Sequence, residues 1–158
     1  MSPPRAKVVT VSDGVVAGTR EDLSGSALAS ALEAAGFEVV GRSVVPDGVA
    51  SVAGELARVT ASFAGLVVTT GGTGFSPRDH TPEATAEIIE RPAPGLAEAM
   101  RLASPLGRLS RGVAGIRGRS VVLNTPGSPS GAVECLQAVL DVLPHALALL
   151  ADEPTRHP

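Results

Sequence analysis

The run Leu66-Val67-Val68-Thr69-Thr70 leads straight into Gly71-Gly72-Thr73-Gly74. A short, continuous β-branched run reads as a strand covered on both faces. Glycines at its end let the backbone turn sharply or approach a ligand closely. Successive free N–H groups in such a turn form a concavity suited to phosphate oxygens. Arg78 and Asp79 follow, one suited to phosphate and the other to a metal ion or a proton. The block points to nucleotide or phosphate chemistry on an open α/β sheet. An isolated Gly-Gly-Thr-Gly serves equally well as a tight strand-to-helix connection. No Gly-Lys-Ser/Thr closes the loop as in a P-loop, and its glycine spacing differs from the dinucleotide fingerprint.

The same grammar repeats along the chain. Ala6 to Ser12, Phe37 to Val45, Gly65 to Thr70 and Ser120 to Asn124 read as strands. A polar loop is expected over Asp13 to Glu21. Helices are expected from Ser24 to Gly36, with Leu28, Ala31, Leu32 and Ala35 on one face, and from Val49 to Phe63. Thr81 reads as an N-cap, with Pro82 at the first helical position and the helix running to about Ile89. Arg91 to Pro94 interrupts it, and Gly95 to Leu102 forms a short helix. Ser104 to Gly118 reads as irregular, with a short strand over Ser110 to Ala114.

A long closing helix begins at Ser130 or Gly131. It carries Val133, Leu136, Leu140, Leu143, Leu147 and Leu150 as a core stripe, with a kink or break at Pro144. Residues after Asp152 read as a frayed tail. Alternating strands and helices predict a mostly parallel sheet with helices on both faces, a three-layer α/β/α fold. Ligands in such folds bind beyond the strand C-terminal ends. Ser12-Asp13, Pro46-Asp47, the glycine loop and Asn124 to Gly127 should therefore meet at one sheet edge.

Composition narrows the function classes. The 158 residues suit one domain, taken as residues 1–158 with an ordered core of about 5–152. Aromatics are only 2%, which argues against base stacking on single-stranded nucleic acid, and a net charge of −3 leaves no basic footprint for a duplex. Cys135 is the only cysteine, read as a small core residue; no disulfide within the chain and no cysteine metal site can form. Lacking an apolar signal core and any membrane-length run, the chain is expected to be cytoplasmic.

Several segments together resemble the MogA/MoaB-type molybdenum cofactor biosynthesis proteins, which include the G domains of gephyrin. They are Thr70 to Gly74 with Pro77-Arg78-Asp79 and Thr81 to Thr85, Pro94-Gly95-Leu96, Leu109-Ser110-Arg111, Ala114 to Gly118, and Asn124 to Pro129. Val11-Ser12-Asp13 and Val45-Pro46-Asp47 fit as well. His80 and Thr125 depart from the commonest residues of the family.

The resemblance implies a molybdopterin-binding fold that assembles as a trimer, or as a hexamer of two trimers. It implies adenylylation of molybdopterin by Mg-ATP with release of pyrophosphate, and a downstream partner protein that inserts molybdate. Asp47 and Asp79 would be the catalytic, Mg²⁺-holding acids. Ser12, Asp13, Gly71, Gly72, Thr73, Gly74, Arg78, Ser110, Arg111, Pro126, Gly127 and Ser128 would bind nucleotide or molybdopterin. The main alternative is a non-catalytic molybdopterin-binding homologue or scaffold. A domain of a nicotinamide- or damaged-nucleotide hydrolase is a further one, though those proteins usually carry an extra domain for which this chain is too short.

Overall fold

β-branched runs that are apolar on both sides fold only where both faces can be covered. The computed structural model, which describes residues 2–153, meets that demand with one central sheet. In chain order the elements are β1 (Arg5–Val11), α1 (Asp13–Val16), α2 (Leu23–Ala34), β2 (Glu38–Val45), α3 (Val49–Thr60), β3 (Gly65–Thr70), α4 (Thr81–Ile88), β4 (Arg91–Pro92), α5 (Pro94–Arg101), a 3-10 turn (Pro105–Leu109), β5 (Ala114–Arg117), β6 (Ser120–Thr125), α6 (Pro129–Gln137) and α7 (Leu143–Leu150). The sheet order is β2-β1-β3-β6-β5-β4. β2, β1, β3 and β6 are parallel, and β5 and β4 continue the sheet antiparallel.

Residues alternate between two cores. Val8, Leu66, Val68 and Leu123 pack under α2, α5, α6 and α7, against Leu28, Leu32, Leu136 and Leu143. Val9, Val67 and Val122 face the opposite layer, against Val52 and Leu56 of α3 and Ile88 of α4. Each fully buried Leu or Val contributes about 1.5–3 kcal/mol of transfer free energy. Phe37 and Phe63 add one aromatic ring to each core, and otherwise well-fitted aliphatics hold the layers together. The expected three-layer α/β/α architecture is present.

Several local expectations change. Residues 13–16 are helical, because the Ser12 hydroxyl accepts the Val15 N–H (3.2 Å) and starts a turn. Thr81 is not the cap of α4; its hydroxyl instead donates to the buried Gly71 carbonyl (2.9 Å), tying the helix to the glycine loop. Arg91 and Pro92, expected only as an interruption, pair as β4 with Ile116 and Gly115 of β5. The short strand lies at Ala114–Arg117, C-terminal to the expected position.

The closing helix is broken into α6 and α7, with Pro144 in the first turn of the second. Of the expected stripe, Leu136 and Leu143 are fully buried and Leu140, Leu147 and Leu150 pack at the margin. Ala132 and Val139 are buried there in place of Val133. Of the expected tail, Glu153 still donates its N–H to the Ala148 carbonyl (3.0 Å), and the rest lies outside the described residues. Among the described residues, no helix is long and apolar enough to cross a membrane.

Candidate functional site

Four parallel strands point their C-terminal ends at the same sheet edge, and the loops that follow them converge there. Asp13 and Asp47 exchange backbone contacts: the Asp13 N–H donates to Asp47 Oδ2 and the Asp47 N–H to Asp13 Oδ1, both at 3.1 Å. The Gly71 N–H donates to the Thr125 carbonyl (3.1 Å), and the Thr70 hydroxyl to the Pro126 carbonyl (2.8 Å). Above these joints lies a cleft of about 920 Å³. A cleft at the strand ends of such a sheet is the expected place for a ligand, and this one is large enough for two small molecules at once.

The glycine loop forms the cleft floor in a shape that side chains would prevent. Gly71 (φ +98°) and Gly72 (φ +69°) have left-handed backbones. A Cβ at Gly71 would lie 2.2 Å from the Val11 carbonyl oxygen; one at Gly72 would lie 2.3 Å from the Thr81 hydroxyl and 3.2 Å from Asp47 Oδ1. The loop is thus pressed between β1, α4 and Asp47, with its other face lining the cleft. On the far wall, α6 starts at the cleft, and its Ser128 hydroxyl accepts the Gly131 N–H (3.1 Å). A helix start of this kind favours anions.

Asp47 and Asp79 both line the cleft. Burial pushes the Asp47 carboxyl above the usual range, and the negative charges of Asp13 and Asp79 push it further. Asp79 Oδ2 accepts the Ser76 N–H at 3.1 Å. A cation beside these acids would relieve that repulsion. Among the described residues, no group of three or more His, Cys, Asp or Glu forms a closed metal cage. Two carboxylates with room for phosphate oxygens suit Mg²⁺, which keeps several waters and shares its shell with substrate phosphates.

Of the predicted residues, Ser12, Asp47, Gly71, Gly72, Thr73, Gly74, Asp79, Ser110, Pro126, Gly127 and Ser128 line the cleft together. Asp13, Arg78 and Arg111 stand outside the lining, and their polar groups are already engaged. Arg78 donates to both Asp13 oxygens (2.6 and 3.2 Å), and the pairing holds the Asp13 carboxyl below the usual range. Arg111 donates to both Glu83 oxygens (3.0 and 2.8 Å), with the same effect on Glu83. Cys135, expected in the core, is half-buried at the cleft wall, where burial raises its thiol.

Sequence reasoning missed Arg20 and Arg101, the arginines that do line the cleft, along with Met100 and Leu106. Arg101 was the easier to find. It ends α5, whose Ala97 and Met100 face inward, and it donates to the Gly112 carbonyl (3.0 Å). Asp22 was missed as well. It caps α2 through the Gly25 N–H (3.0 Å) and accepts the Thr10 hydroxyl (2.8 Å), fixing Leu23 and Ser24 on the cleft wall.

Comparison with known proteins adds an independent line. Residues 7–145 match a family model described as a probable molybdopterin binding domain. The molybdopterin adenylyltransferase of Helicobacter pylori J99 is 36% identical over 156 residues, covering 90% of this chain and 85% of that protein. The molybdenum cofactor synthesis protein cinnamon of Drosophila melanogaster is 37% identical over 153 residues; the match covers 92% of this chain but only 25% of cinnamon. Among solved structures, the molybdopterin biosynthesis enzyme MoaB of Thermus thermophilus superimposes with a TM-score of 0.89 at 46% identity, covering 97% of this chain and 99% of that one. A tungsten cofactor synthesizing MoaB from Pyrococcus furiosus superimposes at 0.84 with 32% identity, covering 95% and 98%.

Proposed function

Because the chain belongs to the molybdopterin-binding domain family of molybdenum cofactor biosynthesis, we propose that it activates molybdopterin by adenylyl transfer from ATP. An oxygen of the molybdopterin phosphate attacks the α-phosphorus of ATP. The bond from that phosphorus to the β-phosphate oxygen breaks, and pyrophosphate leaves. The observation that carries this reading is that Asp47 and Asp79 line one cleft beside the glycine loop, Asp47 next to Gly72 and Asp79 next to Gly74. The relatives named as molybdopterin adenylyltransferases support it.

Phosphoryl transfer of this kind depends on positioning and charge neutralisation more than on covalent help from the protein. Asp47 and Asp79 would hold Mg²⁺, which neutralises charge along the triphosphate when bound. The backbone of Gly71 to Gly74 and the start of α6 would bind phosphate oxygens. Met100 and Leu106 would cover the ring systems and exclude water from the reacting phosphates. Ser110 and Arg101 stand on the same wall and would orient the pterin phosphate.

A partner that inserts molybdate would consume the adenylylated product. Relatives named as bifunctional cofactor biosynthesis proteins, of which this chain covers about half, make a physically linked partner a reasonable expectation. A homotrimer is the assembly proposed for the chain, to be checked by light scattering.

The test is pyrophosphate release from purified protein, molybdopterin and Mg-ATP. Release should require the pterin and fall by about a hundredfold or more in Asp79→Asn, the scale of losing one electrostatic group from a transition state. Pterin binding without release would make the chain a non-catalytic binder. Full turnover by Asp79→Asn with unchanged Mg²⁺ dependence would remove Asp79 from the mechanism.

A further inference from the structure

Two arginines near the cleft share an unusual arrangement. Arg78 Nη2 donates to the backbone carbonyl of Asp47 (2.9 Å), and Arg111 Nη2 donates to the backbone carbonyl of Asp79 (2.7 Å). Each is then matched by a different acid: Asp13 for Arg78 and Glu83 for Arg111. Arg111 goes further. Its Nε donates to the Gly74 carbonyl (2.9 Å), and its own backbone N–H to the Thr73 carbonyl (2.8 Å). Among the described residues, neither the Asp47 nor the Asp79 carboxylate accepts a hydrogen bond from an arginine. Asp47 accepts instead from the Asp13 N–H and Asp79 from the Ser76 N–H.

We infer that Arg78–Asp13 and Arg111–Glu83 are positioning pairs, which fix the backbones of the two cleft carboxylates while leaving the carboxylates themselves free for a cation. The inference rests on the adenylyl-transfer reading for the use made of that cation. Its structural half stands alone. Asp47 stands beside Gly72 and Asp79 beside Gly74, close enough for their charges to repel, and unbraced loops would let them drift apart. A guanidinium placed directly on either carboxylate would cancel that repulsion but occupy the oxygens a metal needs. Clamping the carbonyl avoids the conflict, and the second acid disposes of the arginine's charge. Both pairs are substantially exposed, and exposed ion pairs add little to stability. Their consequence is therefore geometric. Lysine cannot replace either arginine, because it lacks a planar fork that reaches a carboxylate and carbonyls at once.

The test uses full-length Arg111→Gln, Arg111→Lys and Arg78→Gln, each checked for fold by circular dichroism. Two properties are measured. One is the affinity of Mn·ATP without pterin, by calorimetry; the other is amide hydrogen exchange across residues 71–79. The expected result is faster exchange in that segment and a loss of Mn·ATP affinity of about 10- to 100-fold, the usual effect of removing a group that orients a metal ligand. Arg111→Lys should recover little of either. Unchanged exchange in a folded Arg111→Gln overturns the inference, as does faster exchange with unaltered Mn·ATP affinity. If Arg111→Gln does not fold, Arg78→Gln decides by the same criteria. If the wild-type chain binds no Mn·ATP and releases no pyrophosphate, the adenylyl-transfer reading fails, and the exchange measurement alone judges the clamp.

Discussion

Replacing Gly71 by alanine tests how the cleft floor is built. The residue sits at φ +98°, where an L side chain is strained by about 1–2 kcal/mol. The added Cβ would lie 2.2 Å from the Val11 carbonyl oxygen, so β1 and the loop must separate by more than an ångström to reach ordinary contact. That separation disturbs two bonds: the Gly71 N–H to the Thr125 carbonyl (3.1 Å), and the Thr81 hydroxyl to the Gly71 carbonyl (2.9 Å). Each is worth about 1 kcal/mol. The sum is about 3–4 kcal/mol, which for a domain of this size lowers Tm by about 6–16 °C. Because native stability is typically about 5–15 kcal/mol, the variant should still fold.

Gly127→Ala is the matched control. Its Cβ would lie 3.5 Å from Gly71 Cα, an ordinary contact, and its φ is not positive. It should cost no more than about 0.5 kcal/mol. The assay is urea unfolding followed by far-ultraviolet circular dichroism, comparing midpoints at equal slope. Gly71→Ala within about 1 kcal/mol of Gly127→Ala would refute the strain-and-contact account, since that gap is well below the difference worked out above.

Two further predictions concern buried polar chemistry. Asp47→Asn should raise Tm at neutral pH while abolishing Mg²⁺-dependent turnover. A carboxyl raised by burial destabilises the fold while it is ionised, and that cost vanishes as pH falls below its unfolded value. The stabilisation by asparagine should therefore shrink on acidification, and Tm measured from pH 7 to 4 checks it. Asn124→Ala should cost about 2–4 kcal/mol by urea titration. Asn124 Nδ2 bridges the Thr69 and Thr85 hydroxyls (both 3.0 Å), and its Oδ1 accepts the Val113 N–H (3.1 Å), so truncation strands three partners at once.

The central strands were legible because β1, β3 and β6 are buried on both sides, and a continuous β-branched run records that condition locally. β5 could not be read the same way. Its Gly115 has a poor strand propensity, yet it is required there: a Cβ would lie 2.7 Å from Ile89 Cδ1 and 2.9 Å from the Arg91 carbonyl oxygen. A long-range close approach of that kind leaves no mark on neighbouring residues. The loops after the parallel strands were legible as a group, since parallel topology forces them to one edge. What Arg78 and Arg111 do was not. Arginine beside a glycine loop reads as a phosphate ligand, whereas the partners that engage these two, Asp13 and Glu83, stand 65 and 28 residues away in the chain. Arg20 was overlooked for the converse reason, since nothing near it in sequence marks it as a cleft residue; only the inward-facing Ala97 and Met100 of α5 point to Arg101.

The end of the sheet at β4 has a consequence for the protein's behaviour in bulk. An edge strand normally offers a row of unpaired backbone groups on which another chain can template. Here that edge is two residues long, both exposed, one a charged arginine and the other a proline with no N–H to give. A foreign strand meeting this side finds too few donors to register against. At high concentration, growth of the sheet into fibrils should therefore be blocked on this flank, and any strand-mediated aggregation would have to begin at the longer β2 on the other side.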